Sequence, residues 1–399
     1  MTKSKLLEAT NYATYILGRH LLDQGAVKID WPGVRLDFDG PFTQTSSIQV
    51  RMTGNGATFG YRLTPIGEDQ HSLSKDEDNE FVIVSSRRNR MKDYPLLSLA
   101  NATAKLDPNA SYKLSIWKMG DPCNGGSTIA GLVVDNACPA IPAEKPCMSL
   151  PLPDRKLIEF VGDSNTVGYG IKGKRSGFFY HVLCEIPLIA CFNAPKRLVK
   201  TTDATRSWAP LIAHALEADH HVIAWSGIGA QHSAWSNTTM NHAYGRLLAS
   251  DPKTYVKELP GPPPDAVIVM IGQNDTVNTI TNPARLQESF STLLKQIRQY
   301  RPAPIPILLV VPTPDSSMAC VRTNKENKKK ATMLNQAWKS VIMSSDQDWS
   351  HVHLIENNHV PSLHSQDDYG MFLHWNESGN EKWARGLLPK VKGILKWDQ

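Results

Sequence analysis

Ser164, Gly227, Asn274 and His374 are the residue types that acyl transfer needs, and three of them stand in turns that follow apolar runs. The turns read Gly162-Asp163-Ser164-Asn165-Thr166, Ser226-Gly227-Ile228-Gly229 and Gly272-Gln273-Asn274-Asp275. The fourth block is Met371-Phe372-Leu373-His374-Trp375-Asn376. A serine hydroxyl is a weak nucleophile until a neighbouring base accepts its proton. Ser164 is the candidate nucleophile and His374 the candidate base. A tetrahedral intermediate then requires preorganised donors, each worth on the order of 3 kcal/mol. The Ser164 N–H, the Gly227 N–H and the Asn274 side-chain amide supply three. Gly227 suits the role because a missing Cβ lets backbone approach a substrate closely. Asp163 and Asp275 read as braces of their turns, and Gly229 as a turn maker.

Elements that deliver these turns to one edge are legible as well. Continuous apolar runs at 157–161, 221–225, 266–271 and 307–311 suit strands buried on both faces, as in a parallel sheet. Between them lie helical stripes: Trp208, Leu211, Ile212, Ala215 and Leu216; then Leu286, Phe290, Leu293, Leu294 and Ile297; then Met333, Leu334, Ala337, Trp338 and Val341. Alternating strands and helices predict an α/β/α domain with a mostly parallel sheet. In such sheets the site lies beyond the carboxyl ends of the strands. His374 precedes an amphipathic helix carrying Trp383, Leu387, Val391 and Ile394, and the loop before that helix can bring it to the same edge.

Residues before about 150 follow another grammar. Val34–Phe38, Ser47–Met52 and Tyr112–Trp117 alternate apolar and polar residues, and turns such as Asp39-Gly40-Pro41 separate them. Many short strands of this kind predict an all-β sandwich. The proline-rich stretch between the two grammars reads as a semi-rigid linker. Expected boundaries are a β domain over 1–138, a linker over 139–154 and the α/β domain over 155–399. At 399 residues two domains are natural, since one domain usually takes about 100 to 200.

Composition excludes several classes. With 41% apolar and 20% charged residues the chain is neither disordered nor fibrous. The net charge of +5 is mild, and its two basic clusters, Arg87-Arg88-Asn89-Arg90 and Lys325 through Lys330, read as solvated surface rather than a nucleic-acid patch. No apolar run approaches the roughly 20 residues that cross a bilayer. Met1 to Lys5 is not followed by a signal-peptide core. Sequons at Asn101, Asn109 and Asn237 accept sugar only on a secreted chain, so secreted and cytoplasmic settings both fit. Six cysteines lack zinc or redox spacing; Cys184 with Cys191 and Cys138 with Cys147 are near enough for local bridges, and reduced thiols fit equally. His220, His221, His351, His353, His359 and His364 have no partner ligands at helical spacing, so neither a metal nor another cofactor is expected.

Taken in order, the four blocks resemble the SGNH, or GDSL, hydrolase superfamily. The whole chain resembles carbohydrate esterase family 2, in which a jelly roll precedes the SGNH domain. Gly18-Arg19, Asp30-Trp31-Pro32-Gly33-Val34-Arg35-Leu36, Ser115-Ile116-Trp117-Lys118-Met119, Ile158 to Ser164 with Gly168-Tyr169-Gly170, and Thr205-Arg206-Ser207-Trp208-Ala209 carry that likeness. The resemblance implies a jelly-roll sandwich and an acetyl esterase acting on O-acetylated carbohydrate. Readings from other classes are a lipid esterase or thioesterase on the same scaffold, and a carbohydrate-binding protein whose SGNH domain has decayed. One departure stands out. Most SGNH enzymes place an aspartate three residues before the histidine, and here that residue is Met371. A Ser-His dyad is therefore expected, with His374 held by a backbone carbonyl or by Asp367 or Asp368. Trp375, Trp235 and Tyr169 are candidate substrate contacts, since sugar rings stack on aromatic faces.

Overall fold

Stretches that alternate in the first half become strands because each offers one apolar face to a core and one polar face to solvent. The structure, a computed structural model, describes residues 4–42, 48–54, 56–65, 80–84, 90–96, 112–122, 125–135, 155–173, 200–234, 236–276, 282–312, 324–344, 348–359, 363, 366–371 and 374–397. The chain divides into two units. One comprises 1–154 with 247–254 and 260–262, the other 155–246 with 255–259 and 263–399. The inclusion of 247–254 in the first unit has no signal in composition or periodicity. Outside the described residues lie the expected linker, all six cysteines and the stretch 87–89 of the first basic cluster.

Strands of the first unit are β1 (Ser4–Glu8), β2 (Tyr15–Leu17), β3 (His20–Asp23), β4 (Ala26–Ile29), β5 (Arg35–Phe42), β6 (Ile48–Met52), β7 (Thr58–Pro65), β8 (Glu80–Val84), β9 (Lys92–Pro95), β10 (Tyr112–Lys118) and β11 (Ser127–Asp135). They form the all-β architecture expected. One antiparallel sheet runs β3-β4-β11-β6-β9, with β1 also on β11, and the other runs β2-β5-β10-β7-β8. Along β6, Ile48, Val50 and Met52 are buried while Gln49 and Arg51 are half-buried. Strand β11 changes partner midway: 127–129 pair with β4 and 131–135 with β1. Gly131 makes the change possible. Its φ is +144°, and a Cβ there would lie 1.8 Å from the Leu7 carbonyl oxygen.

The Asp30-Trp31-Pro32-Gly33 motif proves to be structural. Asp30 and Lys118 are both fully buried, and the Lys118 ammonium donates to the Asp30 carbonyl and lies 3.6 Å from Asp30 Oδ1. Asp30 Oδ2 accepts from the Ser250 N–H at 2.6 Å and from its hydroxyl at 2.7 Å. The buried charges face each other, and Oδ2 of the carboxylate is held by both Ser250 donors, which offsets part of the cost of burial. Ser250 thereby joins the first unit from 220 residues away.

The second unit is a parallel sheet of β12 (Leu157–Gly162), β13 (Asp219–Ala224), β14 (Ala266–Met270), β15 (Ile307–Val310) and β16 (Val352–Ile355), in the order β13-β12-β14-β15-β16. Its helices among the described residues are α2 (Ser164–Val167), α3 (Trp208–Ala215), α4 (Met240–Ala243), α5 (Pro283–Tyr300), α6 (Asn324–Ile342) and α7 (Glu377–Leu395), counting a turn at Ala9–Tyr12 in the first unit as α1. One core cluster packs Ile158, Phe160, Ile268, Met270, Leu308 and Val310 against Trp208, Ile212, Trp383, Leu387 and Val391. Helices α5 and α6 pair elsewhere, with Phe290 stacked on Trp338 at 4.0 Å. The predicted stripes hold for both of these helices, except that Met333 is only half-buried. In α3 the stripe is rotated: Ala209 and Ala213 are buried and Ala215 is exposed. Lys328 and Lys329 are exposed on α6, as expected for a solvated run.

Candidate active site

Strand order here is the second, first, third, fourth and fifth of the unit, so the direction of winding reverses between β12 and β14. Ligand sites in open α/β sheets form at that reversal, outside the carboxyl ends. Ser164 follows β12 and Asn274 follows β14, one on each side of it.

Local chemistry shapes the first turn. Gly162 admits Thr166 beneath the strand end, where a Cβ would lie 2.1 Å from Thr166 Oγ1. Asp163 caps α2, its Oδ1 accepting the Asn165 N–H at 3.1 Å. Ser164 opens the helix, so its own N–H has no intrahelical acceptor. Helix α2 ends after one turn because Gly168 is left-handed, φ +67°, and a Cβ there would lie 2.3 Å from the Asp203 carbonyl.

The second turn is braced by an aspartate from the third. Asp275 is buried; its Oδ2 accepts the Ala230 N–H at 2.9 Å, and its Oδ1 those of Gln231 at 2.6 Å and His232 at 2.8 Å. Burial lifts the Asp275 carboxyl above the usual range, against the pull of these N–H groups. Gly229 is more than a turn maker, since a Cβ there would lie 2.6 Å from Asp275 Oδ2 and 2.1 Å from the His232 carbonyl. Gly227 has φ +77°. Among the described residues neither its N–H nor that of Ser164 has a hydrogen-bond acceptor. Asn274 Nδ2 donates to the Ile228 carbonyl at 2.9 Å and reaches Asp163 Oδ2 at 3.4 Å. The first bond fixes the amide; the second is long enough to leave a proton for another oxygen.

His374 meets the serine: Nε2 lies 2.8 Å from Ser164 Oγ. Backbone bonds from Gly370 N–H to the His374 carbonyl (2.8 Å) and from Asn376 N–H to the Asp368 carbonyl (3.0 Å) close the loop's ends. Asn376 caps α7 through Gly379 N–H, and Asn380 Nδ2 donates to the Trp375 carbonyl while its Oδ1 accepts the Trp208 N–H at 2.9 Å. Asp368 spends Oδ1 on Lys382 at 2.5 Å and on the Ser378 hydroxyl at 3.5 Å, and so braces α7; Asp367 is exposed and offers its carbonyl to Asn376.

One aromatic expectation needs correction. Trp375 is 2% exposed and packs on Trp383 at 4.5 Å, so it belongs to the core beneath the loop rather than to a substrate face. Tyr169 turns its ring to His374, with centroids 4.9 Å apart and planes at 63°. Trp235 lies outside the described residues. The sequence reading missed the Asn380 link; an asparagine in the first turn of a helix carries no signal of its own.

Comparison with known proteins bears on the family and the fold. The family model of the GDSL-like lipase/acylhydrolases matches residues 158–387. An acetylxylan esterase/glucomannan deacetylase from Cellvibrio japonicus is 29% identical over 163 residues, a stretch covering 41% of this chain and 36% of that protein. This chain thus spans about a third of the length of that curated relative. Among solved structures, a family two carbohydrate esterase from Cellvibrio japonicus superposes with TM-score 0.69 at 16% identity over the whole of both chains. A family two carbohydrate esterase from Clostridium thermocellum in complex with cellohexaose gives TM-score 0.65 at 19% identity, covering 97% and 99% of the two chains. At such identities the likeness speaks for the fold.

Proposed function

The chain belongs to the GDSL-like lipase/acylhydrolase family, and on that footing we propose that it is a serine esterase removing acetyl groups from O-acetylated carbohydrate. The observation that carries the chemistry is the 2.8 Å contact between His374 Nε2 and Ser164 Oγ at the sheet's point of reversal. The substrate class draws on the relatives, an acetylxylan esterase/glucomannan deacetylase and family two carbohydrate esterases.

Ser164 Oγ attacks the acetyl carbonyl carbon while its proton passes to His374 Nε2. The carbonyl oxygen becomes an oxyanion, held by the Ser164 and Gly227 N–H groups and by Asn274 Nδ2. Collapse breaks the bond to the sugar oxygen, which leaves with the proton from His374. Water then attacks the acetyl-serine, gives its proton to His374, and acetate departs as Ser164 recovers it. Ser164 and His374 act as a dyad.

Turnover of p-nitrophenyl acetate and of acetylated oligosaccharide by wild type and Ser164→Ala tests the proposal. Loss of activity in the variant, with wild-type rates falling steeply beyond the acetyl group, is expected. Rates that rise with acyl-chain length would point to a lipid esterase or thioesterase. Equal background rates in both proteins would leave only a carbohydrate-binding role.

A further inference from the structure

Position 371, three residues before the base, is methionine, and the ring that meets the imidazole comes from the other side, from the nucleophile's own turn. Tyr169 sits between two left-handed glycines, Gly168 at φ +67° and Gly170 at φ +68°. That backbone is open to few side chains other than glycine's, and it lets the Tyr169 N–H donate to the Ser164 carbonyl at 3.0 Å while the ring meets the histidine. The contact is edge-to-face, the attractive arrangement for two π systems. The same turn supports the histidine's own loop. A Cβ on Gly170 would lie 3.1 Å, and one on Gly173 2.6 Å, from Met371 Cβ, so backbone meets backbone there. Met371 is buried at that contact, its sulfur accepting the Thr201 hydroxyl at 3.7 Å.

We propose that Tyr169 is a positioning residue: its ring meets the His374 imidazole edge-on and holds it in register with Ser164. The inference rests on the dyad proposed above, and it assigns Tyr169 to the base rather than to the sugar.

A double-mutant cycle with acetyl-ester turnover tests it, with melting temperature followed throughout. Tyr169→Leu is expected to lower kcat by about tenfold to a hundredfold with KM within about twofold, and Tyr169→Phe to keep kcat within about threefold, because the ring and not the hydroxyl acts. In a His374→Ala background, Tyr169→Leu is expected to change the residual rate by less than about twofold, since a residue acting through the histidine has nothing left to act on. Losses that multiply in the double variant, or a rise in KM at constant kcat, would overturn the assignment. Wild-type turnover by His374→Ala itself would instead sink the dyad.

Discussion

Asp163 Oδ2 and Asn274 Nδ2 stand 3.4 Å apart and so join the turn after β12 to the turn after β14. The nucleophile's own cap thus stands beside the side chain assigned to the oxyanion. Asn274→Ala is expected to lower kcat by about a hundredfold to a thousandfold with little change in KM, as for an oxyanion donor. Asn274→Asp is expected to be worse than alanine, because it sets a second carboxylate against Asp163. Steady-state kinetics of both variants decide the point; an alanine variant with unchanged kcat removes the role.

Asp275 gathers the N–H groups that shape the Gly227 loop. Asp275→Asn leaves one of those buried donors facing an amide that cannot accept, at a cost of about 1–3 kcal/mol. A matching fall in melting temperature and a lower kcat are expected. Gly229→Ala is expected to act on the same contact, so the double variant is less than additive.

The raised Asp275 carboxyl also gives stability a pH dependence. The native state keeps this proton to higher pH than the unfolded chain does, whose value is about 3.9. The group's contribution is therefore greatest below that value and falls as pH rises through the folded one. Urea unfolding at a series of pH values above about 4 is expected to show that decline in wild type and a flatter curve in Asp275→Asn.

Trp375 is expected to behave as core. Trp375→Ala loses about 3–5 kcal/mol of stability, with KM unchanged for the folded fraction. A raised KM at an unchanged melting temperature would return it to the substrate.

Breaking the buried Asp30–Lys118 pair is expected to be severe. Lys118→Met leaves the Asp30 charge without its cation and costs about 3–5 kcal/mol, read by urea or thermal unfolding. A variant as stable as wild type would show that the Ser250 bonds alone satisfy Asp30.

Sheet and site were legible where burial imposes a pattern. Strands covered on both faces are mostly apolar, so β14 and β15 announce themselves throughout and β12 and β13 by their apolar ends, Phe160-Val161 and Val222-Ile223-Ala224, and the turns that end the first three follow. Strand β16 does not: Val352-His353-Leu354-Ile355 is short, and its histidine invites a different question. Trp375 was read as a substrate contact because aromatic type is visible in sequence and direction is not. Trp375 points inward beside a site residue, and Tyr169 is aimed by the backbone angles of its glycine neighbours. The Asp30–Ser250 bonds are beyond sequence reading for a plainer reason: no local pattern ties residues that far apart.

The Asn376 and Asn380 bonds that set the His374 loop place it under the command of α7. In chain order Ser164, Gly227 and Asn274 all precede β16, while His374 and α7 follow it. Synthesis therefore delivers the serine and its donors first and the base afterwards. The emerging polypeptide carries an inert hydroxyl, and it becomes a nucleophile only once the helix that arms it has left the ribosome.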